Sequence, residues 1–253
     1  MGEGGYTRRE LMVATAAREI KDGEVVFVGM RLPLLAFAVA KAIHAPRAVG
    51  LFENGVIRDA PPLGPIVTMS DLPNIALAIS CTTLLDVMGL LQQGRVDLGF
   101  LGAAEVDRFG NLNSTWADGG RIRLPGSGGA CDIASLSRRF VVMIPHERRR
   151  LPERVSYLTS PGYGEGRNWR ERVGLRGGGP AKVITTLATL TFDPESREMV
   201  LDTVHPGVDL DTVRAETGWP LRTTPKLRET PPPTPQELEV IRRFDPGKIW
   251  TGA

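Results

Sequence analysis

The chain has 253 residues, 42% of them hydrophobic and 24% charged, with 31 Lys+Arg set against 29 Asp+Glu. That composition excludes a disordered or fibrous chain, and a net charge of only +2 without a basic arm or finger motif argues against nucleic acid as a partner. Two cysteines make no disulfide framework, and no apolar run reaches the ~18 residues of a membrane span. Residues 1–5 lack the pattern of a secretory signal, so the cytoplasm is the expected compartment.

In chain order, Thr7-Arg8-Arg9-Glu10 reads as a capping box. It opens a helix with Leu11, Ala14, Ala17 and Ile20 on one face and Gly23 as its stop. Residues 25–29 form a short β-branched run, the pattern of a buried strand. Pro33 starts a second helix that runs to about Ile43. Residues 49–52 are another apolar strand, ending in the polar turn Glu53-Asn54-Gly55. Residues 82–93 read as helix and 96–101, 139–144 and 155–158 as strands. This alternation predicts an α/β fold, a mostly parallel sheet with helices on both faces. Ligands in such sheets sit beyond the carboxyl ends of the strands, where Glu53 is placed. Residues 182–192 and 199–204 flank Asp193-Pro194-Glu195-Ser196-Arg197 as a hairpin. Residues 209–217 are a short helix closed by Gly218. Pro231-Pro232-Pro233 reads as a stiff linker, and Thr234-Pro235-Gln236-Glu237 as a second capping box opening a helix to about Phe244. The organisation expected is one domain over 1–253, with a proline-rich linker and C-terminal helix from about 219.

The common nucleotide, zinc and serine-hydrolase motifs are absent, and Cys81 and Cys131 have no ligand spacing for a metal. Three features remain. Glu53 reads either as a solvated strand-end acid or as a nucleophile or base held on a rigid element. The run Gly126-Ser127-Gly128-Gly129-Ala130-Cys131-Asp132 is either a flexible turn or a loop whose amides converge on an anion. Residues 102–115, with Asp107, Asn111, Asn113 and Thr115, are either an Asx-type loop or a set of polar ligand contacts. Arg148-Arg149-Arg150 reads as a solvated run or an interface patch before a phosphate site.

Taken together, the strand with Glu53-Asn54-Gly55, the 102–115 loop, the Gly-Ser-Gly-Gly-Ala run, His146-Glu147-Arg148-Arg149-Arg150, Tyr157-Leu158-Thr159-Ser160-Pro161-Gly162 and Asp245-Pro246-Gly247 resemble the β subunit of family I coenzyme A transferases. Within that family the likeness is to the glutaconate CoA-transferase β subunit. It spans about Thr7 to Trp250 and is weakest over 58–95. The resemblance implies that Glu53 is a nucleophile that carries CoA as a glutamyl thioester. It implies oxyanion or substrate contacts from Gly128, Gly129 and Asn54, and an active-site loop containing Ser127, Asn111 and Asn113. It implies no metal and no bound cofactor, with coenzyme A as a substrate beside an acyl-CoA and a small carboxylic acid. It also implies an α subunit that completes the catalytic unit. Asn54 departs from the serine of glutaconate enzymes and matches the Glu-Asn-Gly of the 3-oxoacid branch. The alternative function is a CoA-thioester hydrolase with Glu53 as general base. A non-catalytic binding protein of the wider α/β group is disfavoured, because a single helix precedes the first strand.

Overall fold

A computed structural model describes residues 5–252 of the chain. Residues 1–4, which carry most of the segment read as lacking a secretory signal, lie outside the described residues. The chain forms two compact units. The first combines the segment up to Phe100 with the return from Pro232; the second is Leu101–Pro231.

The first unit opens with α1 (Arg8–Ala17), capped as its sequence predicts: Thr7 Oγ1 accepts from Glu10 N at 3.1 Å and Glu10 Oε2 from Thr7 N at 2.7 Å. There follow β1 (Val25–Val28), α2 (Leu32–Ile43), β2 (Val49–Phe52), β3 (Val56–Arg58), α3 (Leu72–Ile75), β4 (Ser80–Cys81), α4 (Leu84–Gln92) and β5 (Leu98–Leu101). The strands lie in the order β5-β1-β2-β3-β4. β1 pairs parallel with β2 and β5, while β2-β3 and β3-β4 are antiparallel. α2 is apolar nearly all round and almost wholly buried, as a core helix must be. Its one buried cation, Lys41, donates to Pro46 O and Ala48 O, and burial pushes its pKa down. The helix sits close to β2 because residue 50 is glycine: a Cβ there would lie 2.6 Å from Phe37 Cζ.

The second unit contains β6 (Glu105–Val106), β7 (Leu112–Asn113), β8 (Trp116–Ala117), β9 (Ile122–Arg123), α5 (Ala130–Leu136), β10 (Arg139–Ile144), α6 (Trp169–Arg172), β11 (Pro180–Thr185), β12 (Ala188–Phe192), β13 (Met199–Val204), α7 (Leu210–Ala215) and β14 (Thr223–Glu229). Its larger sheet runs β14-β13-β12-β11-β10. β10-β11 and β13-β14 are parallel, and β11-β12-β13 are antiparallel. Two buried histidines tie its strands together. His146 Nδ1 lies 2.9 Å from Thr185 Oγ1, and His205 Nε2 donates to Thr185 O at 2.8 Å. His205 Nδ1 lies 2.9 Å from Thr230 Oγ1. The chain then returns to the first unit as α8 (Pro235–Phe244), which opens with the second capping box. Glu237 on α8 takes Arg18 through both oxygens, at 2.8 and 2.6 Å, and Arg242 reaches back to Glu10 at 2.8 Å.

The α/β class and the parallel pairing beside Glu53 agree with the sequence reading, and three elements differ. The run 182–192 is two strands, because Thr185 Oγ1 accepts from Leu187 N and Ala188 N and folds the chain back on itself. Residues 155–158 form no strand. Val155 N and Ser156 N donate instead to the carboxylates of Asp107 and Glu105, which takes those two donors from any ladder. The segment read as linker from about 219 contains β14, whose parallel partner β13 supplies the order that its own prolines do not predict.

Candidate active site

β1 and β2 run parallel with Val28 opposite Phe52, so Gly29 and Glu53 leave adjacent strand ends side by side. Glu53 is half-buried. Phe52 O accepts from Gly55 N at 2.9 Å, which closes a four-residue turn with Glu53 at its second position. Gly55 has φ 95°, a left-handed value that favours glycine. A Cβ there would also lie 2.2 Å from Thr82 O, and Thr82 N donates to Gly55 O at 2.9 Å. The turn is therefore locked against the start of α4.

Asn54 commits its whole amide to this turn. Its Oδ1 accepts from Val56 N at 3.3 Å, and its Nδ2 donates to Met69 O and Ser70 Oγ, both at 3.1 Å. Met69 O also accepts from Asn74 Nδ2 at 2.7 Å. Arg58, fully buried at the end of β3, donates to Ala60 O, Pro61 O, Asn74 O and Ala76 O. Burial pushes its pKa down, yet the four carbonyls satisfy the guanidinium. The segment 60–76 is thus wired to the Glu53 turn through Met69 O and Ser70 Oγ. Sequence reasoning missed Arg58, since its acceptors are all backbone groups and no residue pattern announces them.

The other expected residues lie in the second unit. Gly126 has φ 99°, its N–H and C=O both bond Ser114, and Ser127 Oγ donates to Gly128 O at 3.0 Å. Gly128 is exposed, whereas Gly129 is buried as the residue preceding α5. Asn111 and Asn113 are buried and fully engaged. Asn111 donates to Asp107 Oδ2 and Gly164 O and accepts from Gly162 N and Gly164 N. Asn113 donates to Glu105, Trp116 O and Ser156 Oγ and accepts from Thr115 N and Trp116 N. Asp107 accepts from Phe109 N and Asn111 N in an Asx turn, and burial raises its pKa despite those bonds. These amides hold the loop's shape; neither has a donor to spare for a ligand. The arginine run is likewise engaged: Arg148 donates to Ala215 O and Thr217 O at the end of α7, and Arg149 and Arg150 pair with Glu147.

No group of three or more metal-ligating side chains occurs among the described residues, and no described helix is long and apolar enough to cross a membrane. The family model for coenzyme A transferases matches residues 9–216. The β subunit of the 3-oxoadipate CoA-transferase of Pseudomonas knackmussii is 36% identical over 247 residues, covering 95% of this chain and 94% of that one. The β subunit of the glutaconate CoA-transferase of Acidaminococcus fermentans is 34% identical over 260 residues, covering 97% and 95%. The crystal structure of that glutaconate enzyme superposes with a TM-score of 0.90, covering 98% of both chains. The decarboxylase AibA/AibB superposes with a TM-score of 0.83 at 28% identity, over 98% of this chain and 100% of that one. Sequence and fold agree along nearly the whole length: the chain belongs to the coenzyme A transferase family, among its β subunits.

Proposed function

We propose that this chain is the β subunit of an enzyme that moves CoA from an acyl-CoA to a small carboxylic acid by ping-pong catalysis on Glu53. The observation that carries the reading is the Glu53 turn itself: a carboxylate at the end of a buried parallel strand, fixed by Gly55 and Asn54. A shared fold does not supply it, since a decarboxylase has the same fold.

The chemistry follows from a carboxylate nucleophile. Glu53 attacks the thioester carbonyl, the C–S bond breaks, and an acyl-glutamyl anhydride forms with CoA thiolate released. The thiolate attacks the glutamyl carbonyl of the anhydride and expels the donor acid as its carboxylate. That leaves a glutamyl-CoA thioester. An acceptor carboxylate then attacks this thioester and expels the thiolate, which attacks the acceptor's acyl carbonyl and frees Glu53. Each step passes through an oxyanion, and a backbone donor to it contributes about 3 kcal/mol. Gly128 and Gly129 are the proposed donors, with Gly128 the more accessible. Asn54, Asn111 and Asn113 act as positioning residues, because their amides are engaged inside the protein. The acids are of the glutaconate or 3-oxoacid type, in keeping with the names of the two relatives. CoA enters as substrate with no resident cofactor, and the compartment is the cytoplasm.

An α subunit is the proposed partner, since both relatives are themselves β subunits. The first unit offers it an apolar surface: Leu63, Leu72, Leu77, Ile79, Leu84 and Leu85 are all exposed, Leu77 and Leu85 at 79% and 80%. The test follows donor acid, free CoA and new acyl-CoA with the co-expressed pair. Transfer predicts donor acid release beyond the enzyme-bound equivalent only when an acceptor carboxylate is present, with the CoA recovered as the acceptor's thioester and parallel double-reciprocal lines. Continuous release of free CoA into water without acceptor would establish hydrolysis, with Glu53 as base.

A further inference from the structure

Arg31, in the loop from β1 to α2, has φ 69° and ψ −120°, a conformation that penalises any side chain, yet its side chain is exposed. Its guanidinium carbon lies 5.5 Å from the centre of the Trp250 ring. A cation–π contact holds the cation without consuming its N–H donors. Trp250 is fixed in turn: its Nε1 donates to Val67 O at 3.1 Å and its backbone N to Asp245 Oδ2 at 3.1 Å. Asp245, buried, also accepts from Ile249 N, Thr251 N and Thr251 Oγ1. Val67 belongs to the loop whose Met69 and Ser70 receive Asn54. A continuous set of contacts thus runs from the Glu53 turn through residues 67–70 and Trp250 to Arg31. The strand register closes the circuit, because Gly29 lies beside Glu53 and Arg31 follows two residues later. Among the described residues no carboxylate pairs with Arg31.

We propose that Arg31 is a specificity residue that binds the second carboxylate of a short dicarboxylic acid while the first exchanges CoA at Glu53. The inference rests on the transferase reading above. Glycine would occupy this backbone position without strain, so what the position retains is the guanidinium, whose planar fork matches a carboxylate. The second carboxylate of a short diacid lies a few bonds from the reacting carbonyl. The CoA phosphates lie a full pantetheine arm from the sulfur, too far for a cation beside the Glu53 turn.

The test compares kcat/KM of the α–β pair for glutarate against valerate, and adipate against hexanoate, with one acyl-CoA donor. The wild type prefers the diacids. Arg31→Gln and Arg31→Gly lower that preference by about tenfold or more, through KM, while Arg31→Lys keeps part of it. Arg31→Gly also raises Tm, because the strained φ is relieved, which separates lost recognition from lost folding. An unchanged diacid preference in Arg31→Gly overturns the proposal. So does an equal loss on monoacids and diacids, or a loss that distinguishes acyl-CoA from acyl-pantetheine. A wild type that transfers CoA but prefers monoacids overturns it and leaves the Glu53 reading standing. A wild type that transfers no CoA to any acid overturns both.

Discussion

Replacing Gly55 by alanine tests whether the Glu53 turn is as tightly determined as its geometry implies. Two costs add there. The left-handed φ of 95° costs a side chain about 1–2 kcal/mol. The added Cβ would stand 2.2 Å from Thr82 O and 2.9 Å from Thr83 N, both backbone atoms that no rotamer change can move. Relieving that overlap displaces the turn or α4, at about 1–3 kcal/mol. Gly94 supplies the control: its φ is 71°, and nothing lies within 4 Å of a Cβ built there. Gly94→Ala therefore has the dihedral cost alone. For a chain of this size, Gly55→Ala should lower Tm by about 10 °C and Gly94→Ala by about 3 °C. A turn pushed aside by even about 1 Å misplaces the nucleophile, so Gly55→Ala should also lose about 100-fold in kcat. Gly94→Ala should stay near wild type. Thermal unfolding and steady-state turnover of the α–β pair read both quantities. Equal effects of the two substitutions would refute the reasoning, because the contact with Thr82 would then carry no weight.

Other expectations follow from buried polar groups. Burial holds the His146 pKa at about 4, below its ordinary 6.5, so the unfolded chain binds the extra proton first as pH falls. Stability from this group is complete above pH 6.5 and declines toward pH 4, by about 3 kcal/mol in all. His146→Asn should flatten the slope of denaturation midpoint against pH between 7 and 5; an unchanged slope contradicts the assignment. Arg58→Met leaves four carbonyls, the buried Asn74 O among them, without their donor and should cost about 3–5 kcal/mol. Hydrogen exchange should quicken first across residues 60–76, and uniform exchange throughout the first unit would argue against a local clamp.

Much of the fold was legible because local rules and burial agreed. Both capping boxes start the helices their sequences announce, and the apolar run before Glu53 is the strand it resembles. Residues 155–158 misled because a short run with β-branched and aromatic residues reads as a strand, whereas side-chain carboxylates from far along the chain take the backbone donors of Val155 and Ser156. β14 was illegible for the converse reason: its residues are mostly exposed and include Pro225, and its order comes from β13. At the site, Glu53 and Gly55 were readable from a strand followed by a tight turn. Asn111 and Asn113 looked available as ligand contacts, since a sequence names polar atoms without showing how many are already bonded. Arg31 carried no signal until its φ was known.

The central claim is a covalent glutamyl-CoA on Glu53, and the most direct measurement is mass spectrometry of the Glu53 peptide from the α–β pair incubated with acyl-CoA and trapped with borohydride or hydroxylamine. The account predicts a trapped derivative at Glu53 that vanishes when acceptor acid is added before the trap. It also predicts no derivative, and a rate lower by about 10³-fold or more, in Glu53→Gln. An enzyme that turns over with Glu53 unmodified, or a Glu53→Gln variant that transfers CoA at the normal rate, would contradict it.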